Sequence, residues 1–286
     1  MHIYWNKNYL DIKEKSDYQF FDRAFHFGDG IYETIAIKNF KAVFLNEHLD
    51  RLFYDARQID LPVKYSKDDI SDNIGKIIEL DNIAEGFAKI IISRGTMMDA
   101  GLSYPEPINP SVLLWGQHCK FMPFKDKRSF KLVISQHERR NQHSIVTFVK
   151  TLNYLTNIIA KREADEKGCD EAILLNIKDH VCECTTSNIF IIGKDDSIST
   201  PHVDSGLLSG VIRNKIILTA LEVGLNVYER PISLADLENA KGCFLTSSLI
   251  GVTPVKEILD IAKYDVGKSF ELMELLDSKY ETLVTK

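Results

Sequence analysis

The residue with the most chemical potential in this sequence is a lysine set among apolar neighbours. Lys150 opens VKTLNYLTNIIAKREA and is flanked by Ile145, Val146, Phe148, Val149 and Leu152. Burial strips hydration from the charged form and lowers an amine's pKa by up to ~3–5 units when complete. A neutral amine is what a Schiff base or a general base requires. The plainer alternative is a lysine whose stem packs while its ammonium reaches water.

Four other features could act with it. Glu183 lies inside the strand VCECTTSNIF, where alternation sets it on one face and Cys182 and Cys184 on the other. A mid-strand carboxylate followed by small polar residues suits a site lining; it also suits a solvent-facing edge strand. In DSGLLSGVIRNKIILTALEVG a helix starts at or just after Gly210. The N–H groups of Gly210, Val211 and Ile212 would then face an anion such as phosphate, unless Ser209 simply caps the helix. Arg51, in EHLDRL, has the fork that grips phosphate oxygens; it could equally pair with Glu47 one turn earlier. The turn TSSLIGVTP offers the Ser247 and Ser248 hydroxyls and the Leu249 amide, either to a carboxylate or phosphate or to an ordinary polar turn.

The elements that must position these groups can be read from periodicity. Strands are expected at 2–5 and 9–12 around Lys7-Asn8, then in FGDGIYETIAIKNFKAVFL on either side of a turn at Lys38-Asn39. NEHLDRLFYDARQI places Leu49, Leu52, Phe53 and Ala56 on one helical face, with Asn46 as N-cap and Arg51 on the polar side. A second helix falls near 67–79, and FAKIIISRG and SVLLWGQ read as strands around the Gly- and Pro-rich loop TMMDAGLSYPEPINP. The stretch His118–Arg128 is basic, contains Pro123 and lacks periodicity, which marks a domain boundary. Beyond it come a strand at 131–136, a polar loop, a helix at 151–167 and strands at 171–176, 181–185 and 188–192. A loop at 200–209, a helix at 210–223, a strand, a short helix at 234–240 and a strand at 243–246 follow. Several strands run consecutively, so the fold class is α+β rather than strict β/α alternation.

Composition bounds the partners. The chain has 286 residues and a net charge of −6, enough length for two domains and too acidic for a broad nucleic-acid surface. No run is long and apolar enough to span a membrane, and the charged start MHIYWNKNYLDIKEK is unlike a signal peptide. Five scattered cysteines suit reduced thiols in a cytoplasm, and no Cys/His spacing suits a metal.

None of these features is specific alone; their order is. Arg51 in H-x-x-R-L, Lys150 before N-Y-L, Glu183 in E-x-T-x-S-N-I-F, then G-x-x-x-G-V-I-R and S-S-x-x-G-V-T-P follow one another along the chain. In that order they resemble the class IV aminotransferases. These are the fold-type IV pyridoxal-phosphate enzymes, which include branched-chain aminotransferase, D-amino acid aminotransferase and aminodeoxychorismate lyase. The resemblance runs from FGDGIYET near residue 27 to VTPV near residue 255.

The resemblance implies an α+β, two-domain architecture: residues 1–118 as a small N-terminal α/β domain, 119–128 as a linker, and 129–286 as the larger cofactor-binding domain. It implies pyridoxal 5'-phosphate as cofactor, with Lys150 as the Schiff-base lysine and Glu183 beside the pyridine nitrogen. Tyr154 would bond the ring oxygen. Arg51 and the helix start at Gly210, Val211 and Ile212 would hold the phosphate, and Ser248 and Leu249 would lie near phosphate and substrate carboxylate. It implies a homodimer whose partner chain completes the pocket. The expected reaction is amino transfer from an amino acid, branched-chain ones among the candidates, to a 2-oxo acid.

Two alternatives stand beside it. The pattern FGDGIYETI, with Thr34 where branched-chain enzymes usually carry glycine, together with RRN and KTLNYL, is similar to aminodeoxychorismate lyase, which forms 4-aminobenzoate and pyruvate. A non-catalytic cofactor-binding protein would need Arg51 and the helix start but neither Lys150 nor Glu183. The family's usual basic residue two positions beyond Thr34 is here Ala36, and RGTMMDAGLSYP lacks the Arg and His of the D-amino acid enzyme. No anchor for the substrate carboxylate is thereby identified: Arg94 is a candidate by position only, and Thr34 is a candidate substrate contact.

Overall fold

The computed structural model of the chain describes residues 2–5, 8–11, 21–96, 101–104 and 108–284. A short hairpin, β1 (His2–Trp5) and β2 (Asn8–Asp11), precedes the helix α1 (Arg23–Phe27). Lys7, expected in the hairpin turn, lies outside the described residues. A four-stranded antiparallel sheet follows, in the order β4-β3-β5-β6, from β3 (Gly30–Lys38), β4 (Lys41–Ala42), β5 (Glu85–Ser93) and β6 (Ser111–His118).

Two helices cover one face of this sheet, α2 (Leu45–Gln58) and α3 (Lys67–Leu80). Alternation along β3 and β5 sends Ile31, Ile35, Ile37, Ala88, Ile90 and Ile92 toward them, where they meet Leu49, Leu52 and Ala56 of α2. The apolar stripe expected on α2 is thus the one that is buried. The helix starts one residue before Asn46, however, with Phe44 as its cap in the left-handed region (φ 51°). Asn46 is inside the first turn and cannot cap it. α3 is closed by a reciprocal capping box between Ser66 and Asp69.

The rest of the chain builds a nine-stranded mixed sheet. Its elements in chain order are β7 (Phe130–Arg140), α4 (Leu155–Glu166), β8 (Glu171–Asn176), β9 (Val181–Cys184), β10 (Asn188–Ile192), β11 (Ile198–Pro201), α5 (Val211–Glu222), β12 (Val227–Arg230), α6 (Leu234–Asn239), β13 (Gly242–Ser247), β14 (Gly251–Ile258), β15 (Ala262–Lys263) and α7 (Val266–Val284). The strand order is β12-β11-β10-β13-β14-β7-β8-β9, with β15 on β14. β7 pairs in parallel with β8 across α4, and β11 with β12 across α5. Four consecutive pairs, β8-β9, β10-β11, β13-β14 and β14-β15, are antiparallel, which gives the α+β character.

Alternate residues fill two cores. Ile189, Ile191, Cys243 and Leu245 pack on one face with Leu237 of α6. Phe190, Ile192 and Phe244 pack on the other with Ile212 and Ile216 of α5 and Met273 and Leu276 of α7. Cys182 and Cys184 are both buried, and all five thiols are unpaired. Among the described residues no helix is long and apolar enough to cross a membrane.

Candidate active site

Lys150 sits in a segment stitched to β3, not at a helix start. Its carbonyl accepts the Tyr32 N–H at 2.9 Å, and the Leu152 N–H donates to Gly30 at 2.9 Å. Thr151 bridges to Ile31. This pairing holds residues 150–152 extended, so the helix expected from Thr151 begins at Leu155. One turn of chain then brings the Tyr154 hydroxyl 3.4 Å from Lys150 Nζ. The amine also lies 4.3 Å from the centre of the Tyr32 ring, which meets the Tyr154 ring edge-on.

This amine opens into a cavity of about 340 Å³ between the two sheets. Glu183, Gly210, Val211, Ile212, Ser248 and Leu249 all line it, as do Arg51, Tyr154 and Thr34. Nine candidates scattered over more than two hundred positions of sequence therefore share one wall system with Lys150. Arg94 does not. It is 1% exposed, and its guanidinium is committed to Asp29 (2.9 and 3.1 Å) and to the carbonyls of Ile59 and Asp60 (2.7 Å each). Sequence position suggested a substrate anchor; the guanidinium instead ties β5 to the end of α2.

Glu183 is buried, which excludes the solvent-facing alternative. One carboxylate oxygen pairs with Arg140 at the end of β7, and the other accepts the Leu208 N–H at 3.0 Å. The turn after it is held by a second buried acid. Glu171 accepts from Thr185, Thr186 and Ser187 through four bonds of 2.9–3.0 Å. Burial pushes the Glu171 carboxyl above its ordinary range, and those bonds only partly oppose it.

Arg51 is also not on a polar surface. Its Nε and Nη2 fork onto Glu33 at 2.6 and 2.9 Å, and Nη1 donates to the Ser209 carbonyl at 2.9 Å. Glu47, the alternative partner, pairs with Lys215 instead. His48 Nδ1 lies 2.8 Å from Glu33, and its Nε2 lies 3.4 Å from the Ser248 hydroxyl. Burial alone would raise the Glu33 carboxyl, but Arg51 and His48 together hold it well below the carboxylate range. Among the described residues, two of the five guanidinium N–H groups of Arg51 have no partner.

The start of α5 beside Arg51 has no side-chain cap. Ser209, the cap alternative, receives the Asn214 amide at 3.2 Å instead. A Cβ at position 210 would come 2.0 Å from Asn188 Oδ1, so any larger residue there must displace the Asn188 side chain. On the neighbouring strand the Thr246 hydroxyl is buried with no hydrogen-bond partner among the described residues.

Sequence reasoning missed Glu33, His48, Arg140, Thr246 and Lys89. Glu33 had a signal: it falls on the same strand parity as Ile31 and Ile35, a carboxylate on an apolar face. Lys89 falls on the opposite parity of β5, directly across from Thr34. Its amine lies 4.8 Å from the centre of the same Tyr32 ring that contacts Lys150, and it has no carboxylate partner among the described residues. Burial first, and then the neighbouring Lys150, lower its pKa.

Residues 30–258 match the family model of class IV amino-transferases. A protein of Methanocaldococcus jannaschii with the provisional name branched-chain-amino-acid aminotransferase is 30% identical over 288 residues, 100% of this chain and 97% of the relative. A D-alanine aminotransferase of Listeria monocytogenes is 32% identical over 251 residues, 88% and 86% of the two chains. A structure from Legionella pneumophila, provisionally a 4-amino-4-deoxychorismate lyase, superposes with a TM-score of 0.83 at 29% identity over 94% of this chain and 97% of that one.

Proposed function

The chain belongs to the class IV aminotransferase family, and from that premise we propose that it is a pyridoxal-phosphate enzyme moving an amino group from an amino acid to a 2-oxo acid. Lys150 is the amine that bonds the cofactor. The observation that carries this reading is that one cavity gathers the Lys150 amine, the Glu183 carboxylate and the uncapped start of α5. The donor set fits the cofactor's phosphate: an orphaned Thr246 hydroxyl, open helix N–H groups and the two unspent N–H groups of Arg51. Glu183 fits a protonated pyridine nitrogen, because its other contacts leave an acceptor position open.

Bound there, pyridoxal phosphate supplies an electron-poor ring that stabilises negative charge at the substrate Cα. Lys150 Nζ would take the proton from the substrate Cα and deliver it to C4′ of the cofactor, the 1,3-transfer that an amino-group exchange requires. Tyr154, 3.4 Å away, orients that amine. Lys89 is the cation left for the substrate carboxylate, since Arg51 and Arg213 already have acidic partners. Lys89 and Lys150 contact one ring and line one cavity, which supports Lys89 as the partner of the carboxylate of a substrate whose Cα is at Lys150. The active species is proposed as a homodimer in the cytoplasm, with amino acids and 2-oxo acids as its small-molecule partners.

A second reading draws on Thr34, whose side chain reaches the cavity opposite Lys89. In it, the same proton removal expels a leaving group, and aminodeoxychorismate yields 4-aminobenzoate and pyruvate. One experiment separates the two. Enzyme given a single amino donor and no oxo acid should release one equivalent of the donor's 2-oxo acid per site. Branched-chain amino acids and D-alanine, named in the relatives, are the first donors to try. Absence of that half-reaction with every donor, together with pyruvate release from aminodeoxychorismate, would replace the transaminase by the lyase.

A further inference from the structure

Asp55 has no part in the chemistry above, yet its side chain holds the main chain of Lys150. It lies one turn beyond Arg51 on α2 and is 2% exposed. Its Oδ2 accepts the Lys150 N–H at 2.9 Å. Tyr32 takes the Lys150 carbonyl, so both polar backbone groups of Lys150 are fixed by the segment 32–55. The packing of α2 does not ask for an acid here: Leu49, Leu52 and Ala56 supply its apolar contact. A buried carboxyl is costly unless it is used. Three charged groups act on it: Arg51 from its own helix, Glu33 from β3, and Lys150 from the segment before α4.

We propose that Asp55 is a positioning residue for Lys150, fixing its backbone amide and setting a buried negative charge beside it. The inference rests on the reading of Lys150 as the cofactor-bonding amine. It has a structural consequence: Arg51 and Asp55 stand on one helix face, so the phosphate grip and the lysine are placed by the same turn of α2. Burial raises the Asp55 carboxyl to about 6, against the pull of the Lys150 amide and Arg51. The charge is therefore present at neutral pH and withdrawn in mild acid.

Asp55→Ala and Asp55→Asn separate the two contributions. In cofactor-free protein, hydrogen–deuterium exchange at the Lys150 amide should accelerate roughly tenfold or more in the alanine variant, which loses a charge-assisted bond. The asparagine variant keeps an acceptor and should stay close to wild type. In cofactor-loaded protein, the pH midpoint of the visible band of the lysine-bound cofactor should fall by roughly one unit in the asparagine variant, because an opposite charge has gone. Unchanged exchange in the alanine variant would overturn the proposal. So would faster exchange with an unmoved midpoint in the asparagine variant, which would leave Asp55 a purely structural residue. If the alanine variant does not fold, the midpoint in the asparagine variant decides. Wild-type protein with no borohydride-sensitive band would instead remove the reading of Lys150, and the proposal with it.

Discussion

Arg51 and Glu33 form a two-point ion pair at 2.6 and 2.9 Å, and the glutamate is entirely shielded from solvent. Removing Arg51 leaves the Glu33 charge buried with only His48 beside it, and breaking a buried pair in this way costs up to about 3–5 kcal/mol. Arg51→Ala should therefore lower the melting temperature of the cofactor-free protein as well as weaken phosphate binding. The double variant Arg51→Met, Glu33→Gln should recover most of the stability and none of the phosphate affinity. The pair also sets a pH dependence. The Glu33 carboxyl is depressed in the folded state, so its contribution is complete above the ordinary glutamate range and is lost as the pH falls below it. Urea unfolding of wild type and double variant between neutral and acid pH measures both effects. A single arginine variant as stable as wild type would contradict the pairing.

Glu183→Gln should spare cofactor affinity and damage turnover. The proposed phosphate contacts are the start of α5 and Arg51, whereas Glu183 itself bonds Arg140 and the Leu208 N–H. An amide does not favour a protonated pyridine, so turnover should fall by roughly a hundredfold or more, the scale of a positioned electrostatic group. Parallel measurement of cofactor dissociation and kcat checks it. Collapsed affinity with unchanged kcat would make Glu183 a structural residue.

Lys89 and Arg94 sit five residues apart on and beside β5 with opposite fates. Lys89→Met should raise KM for the amino donor about 10- to 100-fold, the value of one charge-assisted hydrogen bond, and leave the melting temperature nearly unchanged. Arg94→Met should do the reverse, because its guanidinium is spent on Asp29 and two carbonyls. Steady-state kinetics and thermal melts on both variants test the contrast. A KM effect at Arg94 but not at Lys89 would reverse the assignment.

Much of this was legible in the sequence because it is local. Alternation in β3 and β5, the apolar stripe of α2 and the glycine before α5 each follow from spacing within a few residues. The contacts that arise only on folding were not. Lys150 reads as a helix start, but pairing with β3 outweighs helix propensity at 151–154. Arg51 reads as surface because its partner Glu33 arrives from another element. Arg94 and Lys89 have similar chemistry along the strand, and only the register against Thr34 shows which one enters the cavity.

The central claim is that Lys150 bears the cofactor, and the most direct measurement is peptide mapping after borohydride reduction of the loaded protein. Two lysines, Lys89 and Lys150, put amines into the cavity, so the position of the mass increase discriminates between them. The adduct is expected on the peptide containing Lys150, and Lys150→Ala should fold, lose the adduct and lose turnover. An adduct on Lys89, or a Lys150→Ala protein that retains its adduct and near-full activity, would contradict the account.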